Sequence, residues 1–254
     1  MNRKGKSLYV ESVGPEDEAL VQGFKWLVSE AQKADNKGLV AVTSKANLDN
    51  ISHWSRFKDL LGALKNSGVV RSGAISIGLL TAKDKSVRQW DGPILVIYGG
   101  QALLNVVDSI SGTASVLYVP WNDEDHLDWV DTWGAENLNA KSTNTGTSTT
   151  PEEPTQGVVF IALSSLTQSV NLNTGIVHPN DRENAIRTLE TLYRKNADVT
   201  PEKIRQQMIR MGWAPEHAEE LKKLAEMIWE GRRPRGSTGK PDEHTWSYWQ
   251  SKSK

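Results

Sequence analysis

The chain has 254 residues, no cysteine and a formal net charge of -1, with 37% hydrophobic and 24% charged residues. That length supports one large domain or two modest ones, each with its own apolar core, and the composition is that of a folded globular protein. Without cysteine there is no disulfide framework, thiol nucleophile or cysteine-ligated metal, and the near-zero net charge removes any global attraction to nucleic acid or an anionic membrane.

Residues 15–34 carry Leu20, Phe24, Leu27, Val28 and Ala31 at helical spacing, with Glu16, Asp17 and Glu18 where the helix dipole favours acids. The apolar, β-branched run 39–43 predicts a buried strand. A second helix is predicted over 48–65, its stripe being Ile51, Trp54, Phe57, Leu60, Leu61 and Leu64. Strands are predicted at 74–80, 94–98 and 115–119, and helices at 101–110 and 124–133. This alternation predicts an α/β fold with a mostly parallel sheet flanked by helices. Segment 81–91 is short for a helical crossover, which predicts a hairpin between the strands it joins.

Residues 139–156 are small, polar and proline-bearing without one large apolar side chain, the composition of a flexible linker. The apolar run 158–166 fits a strand or a short helix equally well by periodicity. Three helices follow. The first is capped by Asn180 with Glu183 three positions on; the second begins at Thr200-Pro201 and ends at Gly212; the third runs over 215–230. The expected organisation is an α/β domain (1–138), a linker (139–156), a small three-helix domain (157–231) and a basic, then aromatic tail (232–254). No apolar run of about 18 residues suits a membrane span and no secretory signal opens the chain, so the cytoplasm is the expected compartment.

The segments VNLNTGIVHPNDRENAI, GWAPEHAEELKKLA and EGRR together resemble the C-terminal region of a family of uncharacterised bacterial proteins, largely actinobacterial, with a His-Pro, helix, Gly-Trp, helix pattern. The resemblance covers residues 170–233, with a looser extension to Gly92-Pro93, Val119-Pro120-Trp121 and Trp133-Gly134-Ala135. It implies a helical region without an established activity, so no site residue is carried over from it.

In open α/β sheets, ligands bind beyond the carboxyl ends of the strands. Those positions are Ser44-Lys45, Thr81-Ala82-Lys83, Gly99-Gly100-Gln101 and Trp121 to Asp125. Ser44, Lys45, Gly99, Gly100 and Asp123 are the ligand-binding candidates, Gly99-Gly100 because a helix opens there with free amides. A two-glycine turn without a full phosphate-loop motif is more often only a tight connection. Asp123, Glu124, Asp125, His126 and Asp128 offer oxygen ligands to a cation, yet acids in a first helical turn need no metal to explain them, and no metal or cofactor is expected. His53 beside Trp54, and His178 before Pro179, lack a partner at a motif spacing, and no enzyme signature occurs. Residues 201–230 have the length of a helix-turn-helix, but Glu216, Glu219 and Glu220 stand where a DNA reader approaches phosphates. Arg232, Arg233, Arg235 and Lys240 are the nucleic-acid candidates. Trp246, Tyr248 and Trp249 are a candidate docking or self-association cluster.

The reading is a cytoplasmic binding or interaction protein without a membrane segment. One alternative is a nucleotide- or phosphate-ligand-binding enzyme that uses the carboxyl edge of the sheet; another is a DNA-binding protein that uses the C-terminal helices and basic tail.

Overall fold

The structure is a computed structural model that describes residues 5–12, 14–84, 86–122, 127–140 and 157–253. The chain divides into two compact units, residues 2–147 and 148–254. Most of the expected linker, 141–156, lies outside the described residues.

The first unit runs β1 (Ser7–Tyr9), α1 (Asp17–Lys33), β2 (Lys37–Val42), α2 (Lys45–Ser52), α3 (Lys58–Ser67), β3 (Val69–Ser72), β4 (Ile75–Thr81), β5 (Pro93–Ile97), α4 (Gln101–Asp108), β6 (Ser115–Val119), α5 (Leu127–Trp133) and β7 (Glu136–Asn137). The described strands form one sheet ordered β3-β4-β2-β5-β6-β1-β7, parallel except for the β3–β4 pair. The central strands β5 and β6 are buried along their whole length, as parallel strands covered on both faces must be. Alternation then sorts their side chains. Val40, Val42, Leu95, Ile97, Leu117 and Val119 pack under α1, α2 and α3, whereas Leu39, Ala41, Ile94, Val96, Val116 and Tyr118 pack under α4 and α5.

Two expectations change. The hairpin joins β3 to β4, and β4 and β5 instead lie parallel on opposite sides of β2. The helix expected over 48–65 is two helices. Ser55 Oγ accepts the Phe57 amide at 3.0 Å, and the Arg56 amide donates to Asp17 Oδ1 at 3.1 Å, so the break is held by a local hydroxyl and a carboxylate from α1.

The second unit contains α6 (Val158–Ser169), α7 (Pro179–Arg194), α8 (Pro201–Arg210), α9 (Pro215–Trp229) and α10 (Glu243–Lys252). The ambiguous apolar run is therefore the helix α6. It touches α7, α8 and α10, so it is covered on several sides and shows little amphipathic period. Pro179 occupies the first turn of α7 with His178 as its N-cap, two residues earlier than the expected Asn180 cap. Thr200 caps α8 as expected, its hydroxyl accepting the Lys203 amide at 3.2 Å. Trp213, between α8 and α9, is 2% exposed and donates Nε1–H to Thr167 Oγ1 at 3.0 Å. The tail folds back on this unit. Asp242 caps α10 by accepting the Thr245 amide at 3.0 Å, the Asp242 amide reaches Thr191 Oγ1 at 3.0 Å, Ser237 donates to the buried Glu190, and Trp249 is 2% exposed.

Candidate functional site

The chain leaves β2 toward β4 on one side and leaves β5 toward β6 on the other, so the topological switch lies between β2 and β5. The two connections also diverge onto opposite faces, the arrangement at whose carboxyl end open α/β sheets generally bind ligands. Ala41 pairs with Val96. Ser44-Lys45 follows β2 and Gly99-Gly100 follows β5, so four of the five ligand candidates, Ser44, Lys45, Gly99 and Gly100, stand at the carboxyl ends of two adjacent strands. Asp123, with Glu124, Asp125 and His126, lies outside the described residues.

Each of the four has a local reason to be where it is. Ser44 is the extended N-cap of α2 and donates its hydroxyl to Asn47 Oδ1 at 2.6 Å. Lys45 follows in the first turn and is exposed. A Cβ at Gly99 would stand 2.4 Å from the Leu103 side chain, and its carbonyl accepts the buried Tyr118 hydroxyl at 2.6 Å, so this glycine permits the close approach of α4. Gly100 caps α4 and has open space where a side chain would be.

An open cleft of about 540 Å³ lies on the β4 side of β2, lined among others by Thr43, Ser44, Lys45, Gly68, Thr81 and Lys83; of the four candidates it takes in Ser44 and Lys45 but not Gly99 or Gly100. Asp84 also borders it, but its carboxylate is occupied locally, accepting the Thr81 amide at 2.7 Å and the Thr81 hydroxyl at 2.9 Å. Lys45 and Lys83 are both exposed and, among the described residues, form no ion pair. The cleft thus combines two ammonium groups without ion pairs among the described residues with the hydroxyl of Thr43, donors suited to anionic oxygens, while the Ser44 hydroxyl proton is engaged by Asn47.

On the other side of the switch stands an aromatic group of which the strand-end reading took in only Trp121. Tyr98, the residue after β5, has φ +48°, a left-handed conformation uncommon for a large side chain. Its ring lies 6.1 Å from that of Trp54 and 5.1 Å, edge to face, from that of Trp121, whose residue is 43% exposed. Burial pushes the Tyr98 phenol up to about 12, the Glu16 amide opposes that shift, and the Glu16 and Asp17 carboxylates add to it. Asp17 itself sits below the usual carboxylate range: burial works against its ionisation, but the Arg56 amide and guanidinium outweigh that.

The other candidates are spread over the helical unit. Arg232, Arg233, Arg235 and Lys240 are exposed in the segment between α9 and α10, with Arg232 paired to Glu230. On α9, Glu219 pairs with the buried Arg205 at 3.1 Å, and Glu220 approaches His217 at 3.8 Å. Of the aromatic cluster, Trp249 is consumed by its own unit, Trp246 is half-buried, and Tyr248 is 50% exposed. His53 and His178 are exposed. Among the described residues no group of three or more histidines and carboxylates is placed to hold a metal ion, and no helix is long and apolar enough to cross a membrane.

Fold and edge together define a sheet-based α/β unit followed by a helical unit. Residues 155–250, which take in α6 to α9 and most of α10, match a family described as "Domain of unknown function (DUF1889)". This is consistent with the resemblance of residues 170–233 to an uncharacterised family. No curated protein and no solved structure matches the chain.

Proposed function

We propose that this is a binding protein whose α/β unit takes a small anionic ligand at the carboxyl edge of its sheet. The observation that carries this reading is the cleft lined by Ser44, Lys45, Thr81 and Lys83, in which two ammonium groups face an open volume without carboxylate partners among the described residues. Such charges at a strand edge raise the local concentration of anions and bind them through charge-assisted hydrogen bonds. The test is thermal unfolding of the full chain with rising inorganic phosphate and tripolyphosphate, because a ligand that binds only the folded state raises the melting temperature. Stabilisation should weaken with salt and vanish in a Lys45→Ala, Lys83→Ala double variant. Stabilisation of equal size in wild type and double variant places the anion elsewhere and removes the reading.

A further inference from the structure

The aromatic group at the switch asks for a reason that folding alone does not supply. A non-glycine residue in the left-handed region is strained, and such residues gather at ligand clamps. Glycine would be the cheapest choice for a turn at position 98, and the next two positions are indeed Gly99 and Gly100. Tyrosine there brings a ring to the face that carries Trp54. Trp121, from the end of β6, lays its edge-to-face partner beside it while leaving much of the indole open.

This aromatic group and the lysine-lined cleft are joined by α2. Its N-cap Ser44 borders the cleft, and Trp54, just past its end, meets Tyr98. Arg56 two residues on is tied to Asp17 at the start of α1, which follows β1, so both ends of α2 lie along the carboxyl edge. The eight residues of α2 rise about 12 Å, so the cleft and the aromatic group stand at opposite ends of one short helix.

We infer that Trp121 and Tyr98 form a stacking platform for a planar ring, and that the ligand of this edge is an anionic group tethered to a planar heterocycle, the chemistry of a nucleotide. The inference rests on the proposed anion site and adds the second half of its ligand. Stacking between a base and an aromatic side chain is tolerant of base identity, because every base presents a π-face. The platform therefore distinguishes a nucleotide from a bare polyphosphate more than it distinguishes one base from another.

The test is calorimetric titration of the full chain with tripolyphosphate and, separately, with purine and pyrimidine nucleoside triphosphates. The nucleoside triphosphates should bind about 5- to 100-fold more tightly than tripolyphosphate. Trp121→Ala should abolish that advantage while leaving tripolyphosphate affinity unchanged, which also reports that the variant is folded, and Trp121→Phe should restore most of it. Equal affinity for tripolyphosphate and nucleoside triphosphates in the wild type overturns the platform and leaves the anion site standing. So does an advantage that persists in Trp121→Ala. Failure of every one of these ligands to bind removes the anion site and the inference with it.

Discussion

Replacing Trp249 by alanine probes whether the chain's last helix is part of the helical unit's core. Trp249 is 2% exposed on α10, and α10 packs against α6. A tryptophan buries about 150 to 250 Å², which at about 25 cal/mol per Å² amounts to roughly 4 to 6 kcal/mol as an upper bound. Truncation of a buried tryptophan to alanine costs about 3 to 5 kcal/mol. A ten-residue helix is marginal by itself, so the loss should fall first on the docking of α10 and not on the whole unit. Native-state hydrogen exchange of the full chain reads this directly, since local opening energies appear as protection of particular amides. The amides of α10 should lose protection by about two orders of magnitude or more, unless docking itself is worth less, in which case they exchange as free chain. Tyr248→Ala, at a residue 50% exposed on the same helix, should change protection by less than about 0.5 kcal/mol. If the two variants exchange alike, Trp249 does not anchor the helix and the burial argument fails.

Asp242→Ala removes the N-cap of α10 and should weaken it by about 1 kcal/mol. Hydrogen bonds from the Thr245 amide and hydroxyl hold the Asp242 carboxyl below its usual range, so its contribution is present above the ordinary aspartate pKa and is lost as pH falls through the depressed value; α10 amides should exchange faster relative to α9 on acidification, and should not in Asp242→Ala. Trp213→Ala should cost about 3 to 5 kcal/mol in denaturant unfolding of the helical unit, and Trp213→Phe should still fall short of wild type because the bond to Thr167 is gone; a loss under about 1 kcal/mol would place the indole at the surface. Burial holds the Tyr98 phenol up to about 12; since the unfolded phenol titrates near 10, stability is full below that value and falls as pH rises toward 12, a loss that Tyr98→Phe should lack in pH-dependent unfolding. Expressed separately, residues 1–140 and 157–254 should each give a cooperative transition; a fragment that is unfolded alone would show that its core is incomplete.

Much of the architecture was readable along the chain because parallel strands and amphipathic helices leave local signals. The runs at β2, β4, β5 and β6 are apolar over the length of a strand and bounded by turn residues, and α1, α7 and α9 carry one apolar face each. Thr200-Pro201 announced the start of α8 because a cap and a proline act within four residues. Elements whose stability comes from elsewhere were not readable. β1 and β7 are three and two residues long and exist because neighbouring strands offer hydrogen bonds. The interruption after α2 depends on Asp17, 39 positions earlier. α6 shows no clear period because several helices cover it, and α10 looked like a tail because its ten residues carry a weak stripe and one buried anchor.

The candidate site divides in the same way. Strand ends are visible in sequence, so Ser44, Lys45, Gly99 and Gly100 stood out as positions where an open sheet binds ligands. Which strand ends adjoin was decided by the strand order, and only that order makes β2 and β5 neighbours and puts the switch between them. The aromatic group had no motif to reveal it. Trp54, Tyr98 and Trp121 lie far apart in the chain, Tyr98 reads as the end of a strand, and its left-handed backbone is a property of φ that no composition or spacing encodes. Local chemistry sets each element's own conformation within a few residues, whereas convergence of side chains from three connections is a consequence of topology and exists only once the sheet is assembled.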